Sequence, residues 1–166
     1  MLFRSHPVLN SPAGEVSPAF SPDGRWLAYV SDESGRSEVY VQRYPQGDKF
    51  PVSTSGGGGP VWSGDGREII FQAAIGDVPK MMAASVSAQG DRLVVGRPVP
   101  LFDMRVTGVS GARQQYSSTT IFGRKWDVFP DGRRFLMVLG ADPQGAREIV
   151  LVQHWDEELK RLMSAK

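Results

Sequence analysis

The chain has 166 residues, a formal net charge of +1, 40% hydrophobic and 22% charged residues. That balance suits one folded unit with its own core and gives no overall pull towards nucleic acid or an acidic membrane surface. The absence of cysteine excludes disulfides, Cys-based zinc sites and thiol nucleophiles, and the longest aliphatic runs, Phe135–Leu139 and Ile149–Val152, fall far short of the ~20 residues of a membrane-spanning helix.

At the N-terminus, Leu2-Phe-Arg-Ser-His6-Pro-Val-Leu9 reads as a short strand, and the first 20 residues contain no apolar run of the signal-peptide kind. A repeated unit follows. Pro18-Ala-Phe20-Ser-Pro22-Asp23-Gly24-Arg25-Trp-Leu27-Ala-Tyr29 recurs as Pro60-Val-Trp62-Ser-Gly64-Asp65-Gly66-Arg67-Glu-Ile69-Ile-Phe71 and again as Trp126-Asp-Val128-Phe-Pro130-Asp131-Gly132-Arg133-Arg-Phe135-Leu-Met137. Each copy predicts a hairpin: an incoming strand, a turn in which Asp hydrogen-bonds its own backbone and Gly takes positive φ, and an apolar outgoing strand.

The first two copies stand 42 residues apart and the next two 66, which is one period of about 42 with some 24 residues inserted in the third unit. A period of 40 to 45 residues is that of a four-stranded propeller blade. Third strands are predicted at Ser37–Arg43, Lys80–Val86 and Arg147–Gln153, and fourth strands at Lys49–Thr54 and Pro98–Phe102. The third unit runs instead into Trp155–Leu162, where Trp155, Leu159 and Leu162 have helical spacing and predict a short C-terminal helix.

The fold class is therefore all-β: three four-stranded blades over about 16–55, 59–103 and 123–153, with a polar loop inserted at 104–122. Three blades do not close a ring, since propellers have about four to eight. The expected solution is a homodimer in which residues 2–9 of each copy complete the other's third blade by strand exchange, giving a six-bladed ring from two half-propellers.

These Ser-Pro-Asp-Gly-Arg units resemble the TolB-type (WD-like) β-propeller repeat. The stretch Ser17–Gln72, the segment Asp131–Val138 and the closing His154–Arg161 are similar to the C-terminal propeller of bacterial receptor-like serine/threonine kinases, and the matches together cover about two thirds of the chain. The resemblance implies a sensor or interaction module of a family often found on the extracytoplasmic side of bacterial membranes. It implies no catalytic activity of its own.

Chemistry has few footholds. Gly108-Val-Ser110-Gly111-Ala112 lacks the pattern and the strand-turn-helix setting of a nucleophile elbow, and Gly56–Gly59 lacks the Lys-Ser/Thr and the following helix of a phosphate loop. Both read as loops. His6 and His154 are the two histidines; in a closed ring His6, on the exchanged strand, and Glu15, ahead of the first inner strand, form a candidate site for a divalent metal, Zn or Ca, in the channel, although the fold requires no cofactor. Residues 92–125 hold Arg92, Arg97, Arg105, Arg113, Arg124 and Lys125 against Asp103, a local net charge of +5. Within them Arg113, Gln114, Tyr116, Arg124 and Lys125 are the candidate ligand-binding set for an anionic small molecule at the channel mouth. Nucleic acid is not the expected partner, because Trp26, Tyr29, Trp62 and Phe71 occupy repeat positions that belong to the core.

The functional expectation is a non-catalytic ligand- or protein-binding module that pairs with itself. The alternative is a promiscuous metal-dependent hydrolase of phosphoester or ester bonds in the dimer channel. Neither reading assigns a catalytic residue.

Overall fold

The repeated turn organises the chain. The structure, a computed structural model, describes residues 7–75, 78–90, 92–104, 126–132, 134–138 and 149–152. In the first turn Ser21 Oγ donates to Asp23 Oδ1 at 2.6 Å, the same oxygen accepts from the Arg25 N–H at 3.1 Å, and Ser21 Oγ accepts from the Trp26 N–H at 2.9 Å. The second turn repeats the pattern: Ser63 Oγ donates to Asp65 Oδ1 at 2.7 Å, Arg67 N–H donates to it at 3.1 Å, and Glu68 N–H donates to Ser63 Oγ at 2.9 Å. In the third, Phe129 stands where the others have Ser, and Asp131 is held instead by Arg134, whose guanidinium lies 4.3 Å from the Phe129 ring centroid. Gly24, Gly66 and Gly132 take φ of 69°, 70° and 69°, a region that disfavours a side chain, which is why Gly recurs at this place.

Around these turns the described strands form three antiparallel sheets. The first contains β1 (Glu15–Phe20), β2 (Trp26–Ser31), β3 (Glu38–Arg43) and β4 (Lys49–Pro51), in that order. The second orders β5 (Gly58–Trp62), β6 (Glu68–Ile75), β7 (Val78–Gln89) and β8 (Arg92–Val95), with β9 (Val99–Asp103) also pairing β7. The third contains β10 (Trp126–Val128), β11 (Phe135–Val138) and β12 (Ile149–Val152). In β1 and β5 the register slips at the same place, between Val16 and Ala19 and between Gly58 and Val61. Each slip contains a Pro, which has no N–H to give a ladder and is at home in a bulge.

The sheets stack in chain order. Alternation along β2 and β3 sends Trp26, Ala28, Val30, Val39 and Val41 to one face, where they pack with Ile69, Phe71, Met82 and Ala84 of the second sheet. The other face of the second sheet, with Ile70, Met81 and Leu101, meets Trp126, Phe135 and Met137 of the third. Trp62 Nε1 donates to the Ala19 carbonyl at 3.1 Å and ties the first two sheets together. These are successive blades, as the repeat predicts. β2 is buried at every position because its second face is covered too: Leu27, Tyr29 and Tyr40 pack with Leu9.

One expectation needs correcting. The third strand of blade 2 runs to Gln89, beyond the predicted end at Val86, and turns back through β8 before β9 begins, so this blade has five strands. The reason is local: Gly90, at φ 63°, makes a tight hairpin between Gln89 and Arg92. Residues 7–9 pair with no strand of the same chain; residues 2–6 of the expected exchanged strand, the expected helix at 155–162 and residues 105–122 of the expected loop lie outside the described residues.

Gly64 marks the tightest approach between blades. A Cβ at this position would lie 2.4 Å from the carbonyl oxygen of Pro130 in the next turn, which explains why Gly stands where the other two units have Pro22 and Pro130. Gly64→Ala is expected to destabilise the chain by about 1–3 kcal/mol, as overpacking does. A urea midpoint unchanged from the parent would contradict this reading of the blade 2 and blade 3 contact.

Candidate functional site

The start of β1 gathers the candidate metal residue and its neighbours. Glu15 pairs in register with Ser31 and accepts a hydrogen bond from Ser11 Oγ at 2.6 Å. Next to it, the Gly14 N–H donates to Asp32 Oδ1 at 2.8 Å, which fastens the approach to β1 onto the β2–β3 turn. Glu33, in the same turn, forms an ion pair with Lys49, whose ammonium lies 5.1 Å from the Tyr40 ring centroid. Burial, with the nearby charges of Glu33 and Glu15 and with Tyr40, pushes the Tyr29 phenol up to about 12, so it is a neutral donor at physiological pH and contacts Gln42 Oε1 at 3.4 Å.

Glu38 is the buried carboxylate of this end, 3% exposed. Arg36 Nε lies 2.7 Å from one oxygen, the Gly56 N–H donates to both oxygens at 3.0 Å, and Ser53 Oγ donates to the second while accepting from the Val39 N–H at 2.8 Å. Ser53 and Gly56 belong to the β4–β5 connection, so Glu38 fastens that connection to β3. Sequence reasoning missed it, because Ser53 and Gly56 lie 15 and 18 residues away and no local pattern joins them.

Of the candidate ligands, Glu15 alone is among the described residues. His6, Arg113, Gln114, Tyr116, Arg124 and Lys125 lie outside them. Among the described residues no three His, Cys, Asp or Glu side chains are grouped as a metal site. From the basic stretch, Asp103 is paired with Lys80, and Arg92 lies on the β7–β8 hairpin.

The turn aspartates are structural and carry a pH signature. The hydroxyl of Ser21 beside Asp23, and that of Ser63 beside Asp65, followed by the backbone N–H groups of Arg25 and Arg67, hold both carboxyls below the ordinary carboxylate range. A folded-state value below the unfolded one means that the stabilisation is present above the unfolded pKa and is lost as pH falls through the folded value. The melting temperature of the parent is therefore expected to fall more steeply than that of Asp23→Asn/Asp65→Asn as pH drops from about 5 to 3. Parallel curves would remove the aspartates from the acid response.

The stacked blades and nested Ser/Phe-x-Asp-Gly turns are those of a β-propeller, and the comparisons find its similarity to the TolB-type repeat. The chain is 48% identical over 52 residues to the Tol-Pal system protein TolB of Nitrosococcus oceani, and 32% identical over 84 residues to that of Anaeromyxobacter dehalogenans. These segments are 31% and 50% of this chain and 12% and 19% of the relatives. The TolB structure from Agrobacterium tumefaciens superposes with a TM-score of 0.50 at 16% identity, covering 88% of this chain and 47% of that one; the chain thus spans less than half its length. No family model matches the chain. The resemblance carried by these relatives is to the TolB repeat.

Proposed function

We propose that the chain is a non-catalytic, protein-binding propeller module that completes its ring by pairing with a second copy. The observation that carries this reading is the state of the two outward faces. On blade 1, Phe20 shares a register row with Leu27 on the face away from blade 2 and is 52% exposed; on blade 3, Leu136 points away from the Trp126, Phe135 and Met137 face and is 40% exposed. Leu9 already rests on the outward face of blade 1, 42 residues before Pro51 of β4. That is where the outer strand of a preceding blade belongs, and it supports strand exchange. Among the described residues blade 3 has three strands, so the edge of β12 is the place for the fourth.

Relatives named for a Tol-Pal system support a protein as the further partner, and the basic residues Arg113, Arg124 and Lys125 add an anionic group to what the channel mouth would accept. A divalent ion on Glu15, with His6, would be an addition to this reading and not a requirement of it.

Light scattering tests the proposal. The expected mass is twice the 18.2 kDa of one chain, and Phe20→Asp or Leu136→Asp is expected to give folded monomers, since a charge on a buried apolar interface is not tolerated. Metal analysis of the same peak tests the Glu15 site. A monomeric parent with a cooperative melt would overturn ring closure by two copies.

A further inference from the structure

The sequence holds three Asp-Gly pairs, Asp23-Gly24, Asp65-Gly66 and Asp131-Gly132. Such a pair is chemically fragile, because glycine carries no side chain to shield its nitrogen from the aspartate carboxyl beside it. The local chemistry is matched: Pro22-Asp23-Gly24-Arg25 and Pro130-Asp131-Gly132-Arg133 are the same tetrapeptide. So is the backbone. The three glycines stand at φ of 69°, 70° and 69°, and their N–H groups donate to the Ser21, Ser63 and Phe129 carbonyls at 2.8, 2.9 and 2.9 Å.

What differs is the hold on the carboxyl. Ser21 and Ser63 are each 5% exposed, and each hydroxyl that donates to the aspartate also accepts from a strand N–H, that of Trp26 or of Glu68. The carboxyl therefore leaves its place only by breaking a bond anchored in the core. Phe129 has no hydroxyl to offer. In the third turn the Arg134 guanidinium reaches Asp131 Oδ2 at 2.9 Å, with side chains 43% and 40% exposed, and a surface ion pair of this kind contributes little.

We propose that Asp131-Gly132 is the pair at which the folded chain forms isoaspartate, ahead of the other two. The Gly132 nitrogen attacks Cγ of the protonated Asp131 carboxyl; the N–Cγ bond forms, the bond from Cγ to its hydroxyl breaks, and the hydroxyl leaves as water with the amide proton. Water then opens the succinimide at the former main-chain carbonyl and breaks the bond of that carbon to the Gly132 nitrogen. The chain now runs through Cβ and Cγ, and the α-carboxyl becomes the free acid. Nothing is oxidised or reduced, and the mass is unchanged. The added main-chain carbon follows directly on Pro130, whose carbonyl faces Gly64 of blade 2, so conversion loosens the junction of blades 2 and 3.

The test is incubation of the full chain at mildly acid pH and physiological temperature, followed by peptide mapping with enzymatic methylation of isoaspartyl residues. Conversion at Asp131 is expected to run at least about fivefold faster than at Asp23 or Asp65, the factor of one net hydrogen bond, and the difference is expected to vanish in urea. Phe129→Ser, which supplies a hydroxyl at a partly buried position, should slow conversion at Asp131 by the same factor, and Ser21→Ala should bring Asp23 up towards it; circular dichroism reports that each variant keeps its fold. The converted chain, once separated, should unfold at a lower urea concentration than the parent. No conversion at Asp131, equal or faster conversion at Asp23 or Asp65, a difference that persists in urea, or rates unmoved in both variants would each overturn the proposal. A parent-like urea midpoint of the converted chain would overturn its effect on the junction.

Discussion

Phe71→Ala is expected to lower the stability of the chain by about 3–5 kcal/mol, the cost of emptying a large aromatic site in a close-packed core. Phe71 is 1% exposed and lies in the core that joins blades 1 and 2, so the cavity would open between two blades and not within one. Domains of this size are stable by only about 5–15 kcal/mol, so the variant should be partly unfolded at room temperature or melt far earlier than the parent. Circular dichroism across a thermal ramp decides. A melting temperature within a few degrees of the parent would mean that the blades do not depend on each other.

Glu38→Ala is expected to cost about 2–3 kcal/mol, because charge-assisted hydrogen bonds from Ser53 and Gly56 are lost and the Ser53 hydroxyl is left in a buried place. Arg36 is 62% exposed and can return to water, which keeps the loss below that of a fully buried ion pair. Glu38→Gln, which retains one acceptor, is expected to fall between the alanine variant and the parent in urea unfolding. If glutamine and alanine were equally destabilising, the charge would be the whole contribution; if neither were, the network would be incidental.

The blades were legible because their signal is local. Ser21, Asp23, Gly24 and their counterparts at Ser63, Asp65 and Gly66 complete their hydrogen bonds within a few residues, so sequence spacing alone located the hairpins and their period. The extension of β7 was hidden for a different reason. Gln89, Gly90 and Arg92 carry an ordinary hairpin signal, but a frame of 42 residues has no place for it, and its cause is packing: Leu93 reaches a core made by two blades. Glu38 was illegible on any local reading. Of the candidate site, Glu15, expected just ahead of the first strand, is the first residue of β1, while the basic set at 113–125 lies outside the described residues and remains part of the proposal.

The glycine at position 64 also bears on how such a chain can be engineered. Averaging the three units would write Pro at this position, as two of the three have it, and the averaged residue would drive its ring into the Pro130 carbonyl. Substitution towards a repeat consensus usually stabilises; here it would wedge adjacent blades apart. The units are alike in sequence but not interchangeable in place: Pro22 occupies this position where blade 1 meets blade 2, whereas blade 3 leaves no room for a Cβ at the same position of blade 2.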